Sequence, residues 1–393
     1  MIPSATDERP RAPFVLALAL VSCGTGTAAI PGGSPALADP EGTASAGRDA
    51  GSDGTRDEAS DAAPDTDRAD VRSEETGPVT CPPAPLASTL TDLVAAIVTR
   101  MKAIGGSASG AFVVPTASDR DAFAKDAVLA LAGDDVAACR LPAGYRLVTV
   151  PDGASVIRVV AELDAAGAPA PSRFWGTYAF RPGASRPLVM EAPHPVFDTN
   201  TGTEAVDIFV RANARWLLVS GAHRCANVDP SPCSGTTTAC SAAAAPYKIS
   251  DVAHSVSTPF HATHVALSTR DPALVFAQLH GNSASCPDAL VSASATPTAW
   301  PASGFVRAFA DALTPLGPTV GLCGAGYPVS GCNLCGGANV QARATAASAD
   351  ACTIATGDSG RFLHLEQRLS LRTPGGAAPG WEPVLQALVA AVP

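Results

Sequence analysis

The chain has 393 residues, 46% of them hydrophobic and 16% charged, and a formal net charge of −10. That is enough apolar material for one large core or two small ones. No basic patch stands out, which speaks against nucleic acid as a partner. The absence of a Walker loop, a Rossmann glycine fingerprint and a G-x-S-x-G elbow speaks against nucleotide binding and serine-hydrolase chemistry.

The first segment reads as an export leader. Arg9 and Arg11 precede the run Phe14-Val15-Leu16-Ala17-Leu18-Ala19-Leu20, too short to span a bilayer and of the size of a signal-peptide core. The run leads into Leu20-Val21-Ser22-Cys23-Gly24, which resembles a bacterial lipobox. Residues 1–23 are therefore expected to be a lipoprotein signal peptide, with Cys23 as the lipidated first residue of the mature chain. The expected location is the bacterial cell envelope, on the periplasmic or outer side, with secretion as the other outcome. The membrane is reached only through the anchor. Residues 24–80 are rich in Ala, Gly, Ser, Thr, Pro and Asp, with almost no large apolar side chains. Such a segment cannot bury enough surface to offset its ordering entropy, so a disordered acidic tether is expected.

Residues 81–393 are expected to form a single α/β domain. Helical apolar spacing (Leu90, Leu93, Ile97, Met101) predicts a helix over 86–104, and a second is predicted over 119–131. Residues 144–150 and 155–163 alternate like strands, and 173–180 reads as another. Three apolar runs then stop at a histidine. Pro187-Leu188-Val189-Met190 leads to His194, Trp216-Leu217-Leu218-Val219 leads to His223-Arg224, and Leu274-Val275-Phe276-Ala277-Gln278-Leu279 leads to His280-Gly281. Helices are predicted over 203–215, with Thr201 or Thr203 as cap, and over 255–268 and 303–315. A late strand over 362–366 and a closing helix over 381–392 follow. This alternation predicts a mixed, mostly parallel sheet with helices on both faces.

After Cys23 ten cysteines remain: Cys81, Cys139, Cys225, Cys233, Cys240, Cys286, Cys323, Cys332, Cys335 and Cys352. An even set in an exported chain predicts disulfides that staple loops. Cys332-x-x-Cys335 has no second CxxC and no thioredoxin pattern around it, so disulfide bonding is expected there too.

Ligands of open α/β sheets bind beyond the carboxyl ends of strands, which is where the three strand-end histidines fall. His194 is followed by two carboxylates, Asp198 and Glu204, and His280 is the natural distant partner. Two histidines and a carboxylate leave a fourth position open on a catalytic zinc. Glu366 shares one strand face with Phe362 and His364; a glutamate inside an apolar strand is costly unless paired or functional, and it is the candidate general base. His223-Arg224 is the candidate substrate clamp, because a guanidinium binds a carboxylate bidentately. A structural ion pair of Arg224 with Asp229 or Asp251 is the competing reading. Ala338 to Arg343 is a weaker second clamp. His254, His261 and His264 are not an HExxH motif and are assigned to packing or to supporting other side chains.

The order strand–His194–carboxylate–helix, strand–His223–Arg224, strand–His280–Gly281, strand–Glu366 resembles the zinc carboxypeptidase-like superfamily, which includes the N-formylglutamate amidohydrolases and the phage-type poly-γ-glutamate hydrolases. Pro193-His194 with Thr203-Glu204 looks like the first pattern. His194 with Asp198 and Gly202-Thr203-Glu204, and Leu279-His280-Gly281, look like the second. The resemblance spans about residues 185–372. It implies a carboxypeptidase-like fold and one Zn2+ ion held by His194, His280 and Glu204 or Asp198. It also implies Glu366 as base, Arg224 as anchor of a free substrate carboxylate, and hydrolysis of amide bonds in peptides, γ-glutamyl polymers or N-acyl amino acids. Between the two carboxylates it leans to Glu204, whose place at a helix start is similar to that of the ligand in the superfamily. The carboxylate spacing departs from HxxE, and the cysteine-rich insertions are not typical of these families. The alternative is a non-catalytic, disulfide-stapled surface lipoprotein used for binding or adhesion.

Overall fold

The computed structural model describes residues 79–392, apart from 283–284, 295–300, 302, 325–331, 356 and 375–379. The expected leader with Cys23, and the expected tether up to residue 78, lie outside the described residues. The helices are α1 Leu90–Ile104, α2 Ala117–Ala132, α3 Asp135–Ala138, α4 Thr201–Arg211, α5 Pro259–Arg270, α6 Phe305–Leu313, α7 Val340–Thr345 and α8 Glu382–Ala391. The strands are β1 Ala84–Pro85, β2 Tyr145–Asp152, β3 Ser155–Glu162, β4 Thr177–Phe180, β5 Arg186–Ala192, β6 Ala214–Val219, β7 Thr236–Thr237, β8 Ala245–Pro246, β9 Val275–Gly281, β10 Ala289–Ser292, β11 Val320–Leu322 and β12 Phe362–Gln367.

All but β7 and β8 join one sheet in the order β1-β2-β3-β4-β6-β5-β9-β12-β10-β11. Its centre, β6-β5-β9-β12, is parallel throughout. Antiparallel pairs β2/β3, β3/β4 and β4/β6 extend one side, and β10 joins β12 antiparallel on the other. The sheet is mixed and mostly parallel, as the alternation of strands and helices predicts. The central strands are near-continuous apolar runs because both faces are covered. Glu191, Gln278 and His364 lie level across β5, β9 and β12 on one face, and His280 and Glu366 follow on the same face. His264 of α5 and Gln341 of α7 bond to that face through Glu191 and Gln278. Gln367 points to the other face, where it meets Glu204 of α4.

Local chemistry explains the element limits. Thr89 accepts the Asp92 N–H at 3.1 Å and donates to its carboxylate at 2.7 Å, so α1 starts at Leu90 rather than at 86. Its buried stripe, Leu90, Leu93, Val94, Ile97, Val98 and Met101, has helical spacing. Helix α4 starts at Thr201 behind a left-handed Asn200 without any side-chain cap, and it stops at Arg211 because Asn213 turns to a φ of 51°. Neither expected cap forms: Thr203 lies inside the helix, and the Thr201 hydroxyl bonds back to the Asp198 carbonyl at 2.9 Å. Strands β10 and β11, at four and three residues, are too short to have stood out in the sequence.

The strand expected over 173–180 begins only at Thr177. Its first half is a turn, with Phe174 at a φ of 61°, held by the buried carboxylate of Glu162. That carboxylate accepts the backbone N–H groups of Ser172, Arg173 and Phe174 at 3.0, 2.6 and 2.8 Å. Bonds to an ionised acceptor are the strong ones, about 1.5–3 kcal/mol each. Glu162→Gln takes the charge from all of these bonds and turns one acceptor oxygen into a donor, so a loss of about 1.5–3 kcal/mol in urea unfolding is expected.

Glu204 is fully buried; Oε2 accepts from Gln367 at 3.1 Å and Oε1 has no partner among the described residues. Burial pushes its carboxyl up to about 8 from 4.5, against the opposing Gln367 bond and the Arg372 charge. A carboxyl raised in the folded state stabilises fully below its unfolded value, and that contribution is lost as pH rises from about 4.5 through about 8. Glu204→Gln removes the ionisation. Its melting temperature should gain on that of the wild type from pH 5 to pH 9, with a limiting slope of about 1.4 kcal/mol per pH unit.

Candidate metal centre

The carboxyl ends of β6, β5, β9 and β12 open into a cleft of about 850 Å3 lined by His194, Asp198, Arg224, His280, His364 and Glu366 among others. β5 supplies His194 and Asp198, β6 Arg224, β9 His280 and β12 His364 and Glu366, the rim where ligands of α/β sheets bind. After β5 the chain makes one tight turn, with the Asp198 N–H on the His194 carbonyl at 2.8 Å, and this folds the Asp198 carboxylate back over the His194 ring.

His194, Asp198 and His280 have donor atoms within 4.8 Å of one another, all three buried. Asp198 Oδ2 lies 3.2 Å from His194 Nδ1 and 3.6 Å from His280 Nδ1. The far nitrogens are engaged. His194 Nε2 is 2.8 Å from Asp251 Oδ1, and His280 Nε2 is 2.8 Å from Gln278 Oε1. Gln278 is itself oriented, because its Nε2 donates to the Glu191 carboxylate at 2.9 Å and its Oε1 also accepts from Asn339. Metal-bound histidines characteristically have such a partner on the second nitrogen.

Burial drives His280 down to about 4, so it is neutral near pH 7. With its proton on Nε2 toward Gln278, the Nδ1 lone pair faces a carboxylate oxygen. In that tautomer the imidazole has no hydrogen to place between them. His194 is raised despite burial and the Arg224 charge, because it sits between Asp251 and Asp198. Burial alone would raise Asp198, but the two imidazoles outweigh it and hold its carboxyl far below the usual range. Two nitrogens and a charged oxygen, oriented from behind, form a donor set that fits a zinc ion. A metal there would take the place of the His194 proton.

Glu204, the other candidate carboxylate, is not brought to these histidines. It lies under α4 on the opposite face of the sheet, bonded to Gln367. Glu366 reaches the cleft from β12. Among the described residues none bonds its Oε2, and Oε1 is 3.8 Å from His364 Nε2. Burial, reinforced by the Asp198 charge, pushes its carboxyl well above its ordinary value. Arg224 lines the cleft with its Nε and Nη2 on Asp251 Oδ2, at 3.0 and 2.5 Å, and its guanidinium packs over Phe197. The Asp251 ion pair weighed from the sequence is therefore present. His223 turns aside, its Nδ1 accepting the Cys225 N–H at 3.0 Å. Asn339 and Arg343 serve the fold: Asn339 caps α7, and Arg343 bonds the carbonyls of Gly337, Ala351 and Cys352. At Gly281 the close approach is made by the Arg372 guanidinium, whose Cζ would lie 2.5 Å from an added Cβ.

Sequence reasoning missed Glu191, Gln278, the cleft role of His254 and the bonds of Asp251 to His194 and His254. Asp251 accepts from His254 Nδ1 at 3.0 Å, and His254 stacks on Tyr247 at 3.8 Å. Polar residues inside apolar strands, Glu191 and Gln278, were the available signal; a loop aspartate gives none.

No protein-family model matches the chain, and no curated protein matches it. Among solved structures, it is similar to N-formylglutamate amidohydrolase from Ralstonia eutropha, with 16% identity and a TM-score of 0.34 over 56% of this chain and 95% of that one. It is also similar to a candidate carboxypeptidase from Burkholderia mallei, with 12% identity and a TM-score of 0.30 over 63% of this chain and 62% of that one.

Proposed function

We propose that the chain is an exported zinc-dependent hydrolase of amide bonds, acting on peptides, γ-glutamyl polymers or N-acyl amino acids with a free carboxylate. The observation that carries this reading is the His280 lone pair facing the Asp198 carboxylate across 3.6 Å, with His194 completing the set. A zinc ion bound there supplies Lewis acidity toward a carbonyl oxygen and lowers the pKa of water.

The remaining roles belong to the chain. Glu366 takes the proton from the attacking water as the new C–O bond forms at the carbonyl carbon. It returns that proton to the leaving nitrogen as the C–N bond breaks, so acid and amine are released with the base restored. Its burial against the Asp198 charge supports this role by raising its affinity for a proton. Arg224, fixed by Asp251 and Phe197, orients a substrate carboxylate at the cleft wall. Five disulfides support an oxidising compartment. None of the described helices is long and apolar enough to cross a membrane, and attachment is proposed through Cys23.

Metal analysis tests the site. Dialysed wild-type protein should retain one tightly held zinc, and a His194→Ala/His280→Ala variant with native circular dichroism should retain none. Equal zinc in both would sink the reading. Glu366→Gln should keep that zinc while amide hydrolysis drops by about 10²–10⁴-fold; undiminished turnover would remove Glu366 as the base.

A further inference from the structure

We propose that the cleft carries a second, weaker position for a divalent cation, formed by His280, His364 and Glu366. The proposal rests on the reading of His194, Asp198 and His280 as the inner position. The donor atoms of His280, His364 and Glu366 also lie within 4.8 Å of one another, and all three residues are buried. What separates this cluster from an ordinary buried network is that two of its polar atoms are met by no partner among the described residues. His364 Nδ1 and Glu366 Oε2 are both buried without a hydrogen-bond partner among the described residues. Their remaining polar atoms face each other at 3.8 Å, beyond hydrogen-bond reach. Buried polar atoms are normally paired, so two bare ones side by side at a cleft wall call for an occupant.

The His364 ring is held in place. It lies 4.4 Å from the His280 ring, tilted by 31°. On its far side a left-handed Gly336 passes so close that an added Cβ would stand 2.7 Å from His364 Cδ2. Two imidazoles and a carboxylate on rigid neighbouring strands form a donor set suited to zinc and other late divalent ions.

The two positions share His280. Its Nε2 is engaged by Gln278, so one nitrogen is left and it can serve one ion at a time. With the inner position filled, the outer one keeps only His364 and Glu366 to itself and holds its ion more weakly. An ion there engages the Glu366 carboxylate, so outer occupancy and proton transfer by Glu366 exclude each other.

The test is calorimetric titration of the metal-free full-length protein with zinc chloride, with bound zinc counted by mass spectrometry. Wild type should show two binding events, the second weaker. His364→Gln, which keeps the side-chain bulk, and His364→Ala, which removes the donor outright, should each lose the second event, so that stoichiometry falls from two to one while the first event persists. Wild type saturating at a single equivalent would overturn the proposal and leave the inner position standing. So would an undiminished second event in whichever variant keeps the native circular dichroism spectrum. No binding at all would remove the inner position as well.

Discussion

Asp251 is a carboxylate with no exposure to solvent, and three cationic or polar groups close on it from different parts of the chain. Arg224 donates through two nitrogens, His194 through Nε2 and His254 through Nδ1. Burial alone would raise its carboxyl, yet the Arg224, His254 and His194 charges hold it well below the ordinary range. A buried charge of this kind persists only while its partners stay in place, and removing one partner typically costs about 3–5 kcal/mol. The clasp fixes the loop after β6, the turn after β5 and the 250–254 segment to one another, and with them one wall and the floor of the cleft.

A second buried web does the same for the other histidine. Glu191 accepts from His264 and from Gln278, and Gln278 then presents its oxygen to His280. The chain of bonds runs across β5 and β9 because Glu191 and Gln278 are cross-strand neighbours in register. Polar networks in a low-dielectric interior are favourable only when each member is satisfied. Here Glu191, Gln278 and His280 stay satisfied up to the cleft, and beside them at its wall His364 and Glu366 each keep one atom without a partner among the described residues.

The upper walls are built differently. The β7–β8 hairpin loop and the 332–338 loop contribute Thr236, Thr237, Asn333 and Leu334 to the cleft. Long loops without much secondary structure have little apolar burial of their own. Covalent ties take that role. Cys225–Cys240 closes the hairpin loop, Cys233–Cys352 ties it to the segment after α7, and Cys286–Cys332 with Cys323–Cys335 pins the other wall. Cys332 and Cys335 thus take separate partners rather than each other, and with Cys286, Cys323 and Leu290 they form a small apolar cluster of their own.

The sequence by itself determined the layered α/β architecture, the five-pair cysteine arithmetic and the strand-end positions of His194, His280 and Glu366. These rest on period, composition and spacing, which are local properties of the chain. It did not determine which carboxylate accompanies the histidines, because Asp198 and Glu204 both follow His194 within ten residues. Only the tertiary structure separated them: the tight turn after β5 carries Asp198 back to the rim, while α4 carries Glu204 beneath the opposite face. Cysteine pairing, the Asp251 clasp and the Glu191–Gln278 relay were likewise decided by tertiary contact. The disulfides join residues from 12 to 119 positions apart, Arg224 and His194 reach Asp251 across 27 and 57, and Gln278 reaches Glu191 across 87, and no local pattern encodes a partner at such distances.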